Sequence, residues 1–192
     1  MKKIGLLGGT FDPPHLGHLL IAEEVYHALD LDGVWFIPSN NPPHKDASDT
    51  KTEDRVEMTR IAVQDNEHFH LNTIEMERSG TSYTVDTVKN LVDRHEDTSF
   101  YFIMGGDMVE YLPNWERIDQ LNELVSFVGV QRYGYELSCE YPVVKVEIPM
   151  FDVSSTLIRE RLQSGETARY LLPETVETYI KERGLYGTKR GT

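Results

Sequence analysis

His15 and His18 stand three residues apart around Gly17, in the run Gly8-Gly9-Thr10-Phe11-Asp12-Pro13-Pro14-His15-Leu16-Gly17-His18. On the first turn of a helix that spacing lets two imidazoles face the same way. Paired glycines let backbone amides approach a ligand, a helix start favours anions, and Gly17 would leave room for a phosphate against the backbone. The chemistry these residues suit is the holding of phosphate oxygens. The run is neither a Walker loop, which needs Gly-Lys followed by Ser or Thr, nor a dinucleotide Gly-x-Gly-x-x-Gly. Two other readings stay open. The histidines could cap and pack, or they could bind zinc with Asp12 or His44 completing the three or four ligands that zinc requires.

Two further segments carry donors of the same kind. Asn40-Asn41-Pro42-Pro43-His44-Lys45 sets Lys45 on a proline-stiffened loop, where it either contacts a ligand or is solvated. Ser154-Ser155-Thr156-Leu157-Ile158-Arg159 puts three hydroxyls at a helix start. One of them can be a plain N-cap; together they make a donor-rich cradle for an anion. Arg159 lies one turn beyond Ser155 and could grip an oxygen with two donors, or pair with Glu160 at the surface. Such a set suits adenylyl transfer from ATP to a phosphate. That nucleophile is anionic at neutral pH and needs no general base, so the protein aligns it and stabilises the departing pyrophosphate. The sequence offers no nucleophile elbow, triad or carboxylate pair, as this chemistry expects.

The elements that must position these groups alternate between strand and helix. Apolar strands are predicted at 4–7, 34–37, 69–73, 99–104, 124–130 and 143–148. Helices are predicted from Ile21, Val25, Ala28 and Leu29, from Thr52 as an N-cap to about Asp65, and from Val85, Val88, Leu91 and Val92. Two more close the chain, at 154–163 and at 173–183 with Pro173 at its start and Gly184 after its end. Residues 39–51 read as a loop and a natural mobile flap. This alternation predicts an α/β fold with a mainly parallel, doubly wound sheet covered on both faces, whose ligands sit beyond the carboxyl ends of the strands. With 192 residues and no evident linker, the chain reads as one domain, 1–192, ending in a small helical segment over about 154–186.

Composition narrows the function classes. A formal net charge of −13 argues against broad nucleic-acid binding and requires any polyphosphate site to concentrate positive charge locally. Cys139 is the single cysteine, so no intramolecular disulfide is available, which suits a reducing cytoplasm. No run approaches the roughly 20 apolar residues of a membrane span. Oligomeric state is open, a homo-oligomer included.

His15-Leu16-Gly17-His18 and Ser154-Ser155-Thr156-Leu157-Ile158-Arg159 together resemble the nucleotidyltransferases marked by His-x-Gly-His and Ser-Ser-Thr-x-x-Arg. The likeness runs in order along nearly the whole chain. Segments 8–18, 40–45, 80–87, 104–107 and 113–115 are similar to those of bacterial nicotinate-nucleotide adenylyltransferases, with Ser82–Thr87 and Pro113–Trp115 specific to that branch.

The resemblance implies a Rossmann-like fold and a reaction of ATP, carried with Mg2+, and nicotinate mononucleotide to deamido-NAD and pyrophosphate. It assigns His15, His18, Lys45 and Arg159 to catalysis. Gly8, Gly9, Thr10, Phe11, Gly17, Gly105, Asp107, Ser154, Ser155 and Thr156 go to ATP, with Asp107 on a ribose. Asn40, Tyr83, Thr84, Gly106, Trp115 and Arg132 go to the acceptor. There Tyr83 and Thr84 would offer backbone amides to the carboxylate and Trp115 would stack on the pyridine ring. Tyr133 stands where the family pattern has proline, beside Arg132. Rival acceptors are phosphopantetheine and nicotinamide mononucleotide; rival classes are a regulatory nucleotide-binding module and a His-based metallohydrolase.

Overall fold

A computed structural model describes residues 1–40, 50–78, 80–132 and 138–189. In chain order the elements are β1 (Lys2–Gly9), α1 (Leu16–Leu29), β2 (Gly33–Pro38), α2 (Thr52–Val63), β3 (Phe69–Leu71), α3 (Thr84–Arg94) and β4 (Thr98–Gly105). They continue with α4 (Gly106–Tyr111), α5 (Ile118–Leu124), β5 (Ser126–Arg132), β6 (Val143–Ile148), α6 (Ser155–Gln163) and α7 (Glu174–Arg183). The strands form a six-stranded sheet in the order β3-β2-β1-β4-β5-β6, with every neighbouring pair parallel. The sheet is the α/β, doubly wound arrangement that the strand–helix alternation predicts. Strand order reverses between β1 and β4, and the carboxyl ends of β1, β2 and β4 lie side by side at one edge of the sheet.

The period of two in a strand sorts β1 between two cores. Ile4 and Leu6 join Val88 and Leu91 of α3 and Leu121 of α5 on one face. Leu7 joins Ala22 and Val25 of α1 on the other. Gly5 faces that second side, where an added Cβ would lie 2.9 Å from Ile103 Cδ1 and 3.0 Å from Leu31 Cδ1, so only glycine lets β1 sit this close. A third cluster unites Met58 and Ala62 of α2 with Ile158 and Leu162 of α6 and Val176 and Ile180 of α7. Buried Asp54 pins that contact by accepting from the Tyr179 hydroxyl at 2.7 Å and Arg183 Nε at 3.1 Å. The C-terminal helices are thereby docked against α2.

Several boundaries differ from the sequence expectation. Lys51, not Thr52, is the N-cap residue of α2; Thr52 is its first residue, and its hydroxyl accepts from Arg55 Nη2 at 3.1 Å. Leu124 ends α5, so β5 begins at Ser126. Ala28 is exposed, while Ala22 and Val25 carry the buried stripe of α1. The helices α4 and α5, at six and seven residues, are too short for helical periodicity to declare itself in the sequence. Among the described residues no helix is long and apolar enough to cross a membrane.

Candidate active site

The two halves of the expected phosphate site meet. After β1 the chain turns through Asp12-Pro13, joined by a cis peptide bond, and enters α1 at its N-cap, His15. The start of α6 docks on this same turn: the Ser155 hydroxyl donates to the Pro13 carbonyl at 2.8 Å, and Arg159 Nη1 donates to the Asp12 carbonyl at 2.7 Å. Arg159 is therefore held beside the histidine loop by a residue 147 positions earlier, not by Glu160. A second bond, from Nη2 to the Thr156 hydroxyl at 3.3 Å, leaves further donors on a guanidinium that carries five.

The histidines have different roles. Their rings stack with centroids 3.7 Å apart, and the edge of His18 meets the buried ring of Phe11 at 5.0 Å. His15 is only 6% exposed, and burial lowers its pKa to about 4. It is a neutral, packed ring at neutral pH, and its Nδ1 is buried without a hydrogen-bond partner. His18 is more accessible. Its Nδ1 accepts the backbone N–H of His15 at 3.1 Å, the return half of a capping box. A backbone N–H can only donate, so a neutral His18 ring carries its proton on Nε2. Any hydrogen bond from His18 to a phosphate oxygen is donated by Nε2.

Some expected ligand groups already have internal partners. Ser154 is a true N-cap, accepting from the Leu157 amide at 3.1 Å, so capping explains this hydroxyl. Ser155 and Thr156 are engaged as above. The first amide of α1, Leu16, donates to the Leu171 carbonyl at 2.9 Å, and His18 N–H donates to the His15 carbonyl at 3.0 Å. An unoccupied row of α1 amides is thus not what this helix end presents. Gly17 is buried, and a Cβ there would meet Val153 Cγ1 at 2.8 Å and His15 Nδ1 at 3.0 Å. Its smallness admits the approach of Val153, just before α6. The side chain of Phe11 is buried, so any contact from it to a nucleotide is through backbone. Gly8 is exposed at the strand end; among the described residues only Phe102 Cζ comes near its missing Cβ, at 3.7 Å.

The remaining ATP candidates, Gly105 and Asp107, and the acceptor candidates lie at the same edge of the sheet. Gly105 ends β4, and Gly106 and exposed Asp107 open α4; a Cβ on Gly105 would lie 2.9 Å from Asp107 Oδ1. Tyr83 is the N-cap of α3 and Thr84 its first residue. Arg117 Nη2 bonds Asp86 Oδ1 at 2.7 Å, tying the first turn of α3 to the loop that carries Trp115. Trp115 is half-buried, its ring edge-on to Phe102 at 5.5 Å, with Nε1 buried and unpartnered. It is thus anchored to the core while belonging to the loop after α4. Asn40 uses its amide Nδ2 on the Arg78 carbonyl at 3.1 Å and its N–H on Glu75 at 3.2 Å. Arg132 closes β5. Lys45, His44 and Tyr133 lie outside the described residues.

No group of three or more His, Cys, Asp or Glu side chains gathers as a metal site among the described residues. A cleft of about 760 Å³ at the opposite, amino edge is lined by Lys2, Asp32, Trp35, Arg94 and His95 among others, and contains none of the candidate residues.

The cytidylyltransferase-like family model matches residues 6–161. A protein of Geobacillus thermodenitrificans named probable nicotinate-nucleotide adenylyltransferase is 57% identical over 190 residues, covering 98% of this chain and 88% of its own. A protein of the same name from Oceanobacillus iheyensis is 54% identical over 190 residues, covering 99% and 100%. The chain belongs to the nicotinate-nucleotide adenylyltransferase family. Its fold is that of the Plasmodium falciparum nicotinic acid mononucleotide adenylyltransferase complexed with APC, at TM-score 0.81 and 18% identity over 100% of both chains. The same protein complexed with NaAD matches at 0.81 and 20%, again over 100% of both.

As a nicotinate-nucleotide adenylyltransferase family member, the chain holds parts of its site that sequence reading passed over. Arg55 of α2 is 2% exposed and donates through Nη1 to the Thr10 and Ser39 carbonyls, each at 2.8 Å. Buried Glu75 accepts from Asn40 and, at 2.9 Å, from the Thr87 hydroxyl. Tyr186 donates its hydroxyl to Asp12 Oδ1, and burial with that carboxylate beside it raises the phenol pKa far above its ordinary value. The signal for Arg55 was present: it shares a helix stripe with Met58, Thr59 and Ala62, where a charge among buried positions calls for a partner.

The buried His15 gives stability a pH dependence of definite sign. The unfolded chain takes a proton there below about pH 6.5, the folded chain only below about 4. Between those values the unfolded state binds more protons, so stability falls as pH falls, by up to about 3 kcal/mol in total. His15→Gln should remove that part of the fall. Urea midpoints of both proteins at pH 7 and pH 4.5 measure it; an equal fall in the variant would assign the dependence elsewhere.

Proposed function

We propose that this enzyme joins the AMP moiety of ATP to nicotinate mononucleotide, giving deamido-NAD and pyrophosphate, at the edge where β1, β2 and β4 end. The observation that carries the reading is the docking of Arg159 and Ser155 on the Asp12-Pro13 turn, one step before the stacked His15 and His18. An acidic chain thereby sets a guanidinium, an imidazole donor and two helix starts around one loop, as a triphosphate requires.

The acceptor phosphate attacks the α-phosphorus of ATP. A phosphorus–oxygen bond forms, the bond to the bridging oxygen of the β-phosphate breaks, and the electron pair leaves with pyrophosphate. No proton need be removed from the nucleophile. His18 Nε2–H and Arg159 stabilise charge as it develops, and neutral His15 stacks on His18 to hold its ring. Lys45 is a further cation for the phosphates. Mg2+ suits this site as an ion carried by the triphosphate, because it keeps several waters and needs few protein ligands. When bound it offsets charge on the phosphate oxygens. The lone Cys139 fits work in a reducing cytoplasm.

On the acceptor side, the first amides of α3 at Tyr83 and Thr84 meet the carboxylate and Trp115 stacks on the pyridine ring, an arrangement suited to a flat electron-poor ring. Trp115→Ala should raise KM for nicotinate mononucleotide about two- to tenfold, from the roughly 0.5–1.5 kcal/mol of an aromatic contact, and leave KM for ATP unchanged within error. An equal rise in both would make Trp115 a structural residue. The reaction itself is tested by supplying ATP and Mg2+ with nicotinate mononucleotide, nicotinamide mononucleotide or phosphopantetheine and measuring pyrophosphate and adenylylated product. Fastest turnover with nicotinate mononucleotide is expected. Turnover with phosphopantetheine alone, or none, would overturn the reading.

A further inference from the structure

We propose that Arg55 is a positioning residue that sets the distance between the ATP wall and the acceptor wall of the cleft. The proposal rests on the assignment of residues 8–11 to ATP and of Asn40 to the acceptor side. The ladder between β1 and β2 ends with Ser39 N–H donating to the Gly9 carbonyl at 2.8 Å. Beyond that rung the two chains part, one to enter α1 and the other to reach Asn40. Arg55 Nη1 then takes the place of the next rung, donating to the carbonyls of Thr10 and Ser39, one on each departing chain, both at 2.8 Å. Its Nη2 is fixed on the Thr52 hydroxyl of its own helix at 3.1 Å, so the rung is anchored to α2. Asn40, next to Ser39, is held from the other side by Glu75 and Arg78.

A guanidinium 2% exposed and bonded to neutral carbonyls is costly to bury, and its Nε is buried without a partner as well. Burial pulls its pKa down against the attraction of Asp12, Glu53 and Glu75. A methionine would pack the same space. What it could not do is bridge two carbonyls at fixed separation, and a displacement near 1 Å between reacting groups can cost about 10²-fold.

The test compares the wild type with Arg55→Ala and Arg55→Lys in the pyrophosphate assay, alongside far-UV circular dichroism and Tm. Arg55→Ala should raise KM for both substrates and lower kcat/KM about 10²-fold. Guanidinium ion at non-denaturing concentration should restore about tenfold of that, and urea, its uncharged analogue, should not. Arg55→Lys keeps the charge but is shorter, so it should fold and still show raised KM for both substrates; it decides the matter if Arg55→Ala does not fold. Variants with wild-type KM values would overturn the proposal. So would a loss of activity that guanidinium does not relieve and that follows Tm alone. A wild type without turnover would instead strike the assignment of the walls.

Discussion

His18→Ala should lower kcat about 10²–10³-fold while the protein stays folded, the loss seen when one charge-stabilising donor is removed from a transition state. The expectation follows from one bond. Because His18 Nδ1 accepts the His15 amide, the ring is oriented and its Nε2 proton is committed as a donor. Alanine removes that donor and leaves the His15 N–H without its acceptor, so Tm should fall as well, by the effect of about 1–3 kcal/mol for an unpaired buried group. His18→Asn retains an acceptor and a donor on a shorter side chain. It should recover Tm more than turnover, which separates the two consequences. Steady-state pyrophosphate release with both substrates saturating measures the first, and thermal melts the second. Turnover within threefold of wild type in His18→Ala would remove His18 from the chemistry.

Arg159→Ala should be nearly as damaging, lowering kcat/KM for ATP about 10²-fold. Two contributions combine. The guanidinium is a charge partner for phosphate oxygens, and through the Asp12 carbonyl it also holds the turn that presents His15 and His18. Arg159→Lys keeps the first in part and loses the planar two-pronged geometry, so it should fall between wild type and alanine. The Ser155 hydroxyl still ties α6 to Pro13 in either variant, which should preserve the fold. Initial rates over a range of ATP concentrations measure the effect. Unchanged kinetics in Arg159→Ala would mean that its bond to Asp12 is only structural.

The fold was legible because strands buried on both faces write themselves as short apolar runs. Ile4 to Leu7 is such a run, buried throughout within β1, whereas the edge strand β6 shows instead as alternation, with Lys145 and Glu147 between its apolar residues. Gly184 marked the end of α7 for a local reason: it caps the helix at φ 65°, where other residues are strained. What sequence concealed was long-range. That Ser154 caps its own helix while Ser155 reaches Pro13 cannot be told from three adjacent hydroxyls. Neither can the pairing of Gly17 with Val153, which spans the chain. Arg55 and Tyr186 lie outside the two motifs, and their partners are backbone carbonyls or a distant carboxylate, which leave no pattern in spacing.

The most direct measurement is the structure of this enzyme with a non-hydrolysable ATP analogue. The account predicts phosphate oxygens within hydrogen-bond distance of both His18 Nε2 and the Arg159 guanidinium, on the Asp12-Pro13 side of the sheet. A triphosphate bound away from that turn, for example in the cleft around Trp35 and His95 at the amino edge, would contradict it.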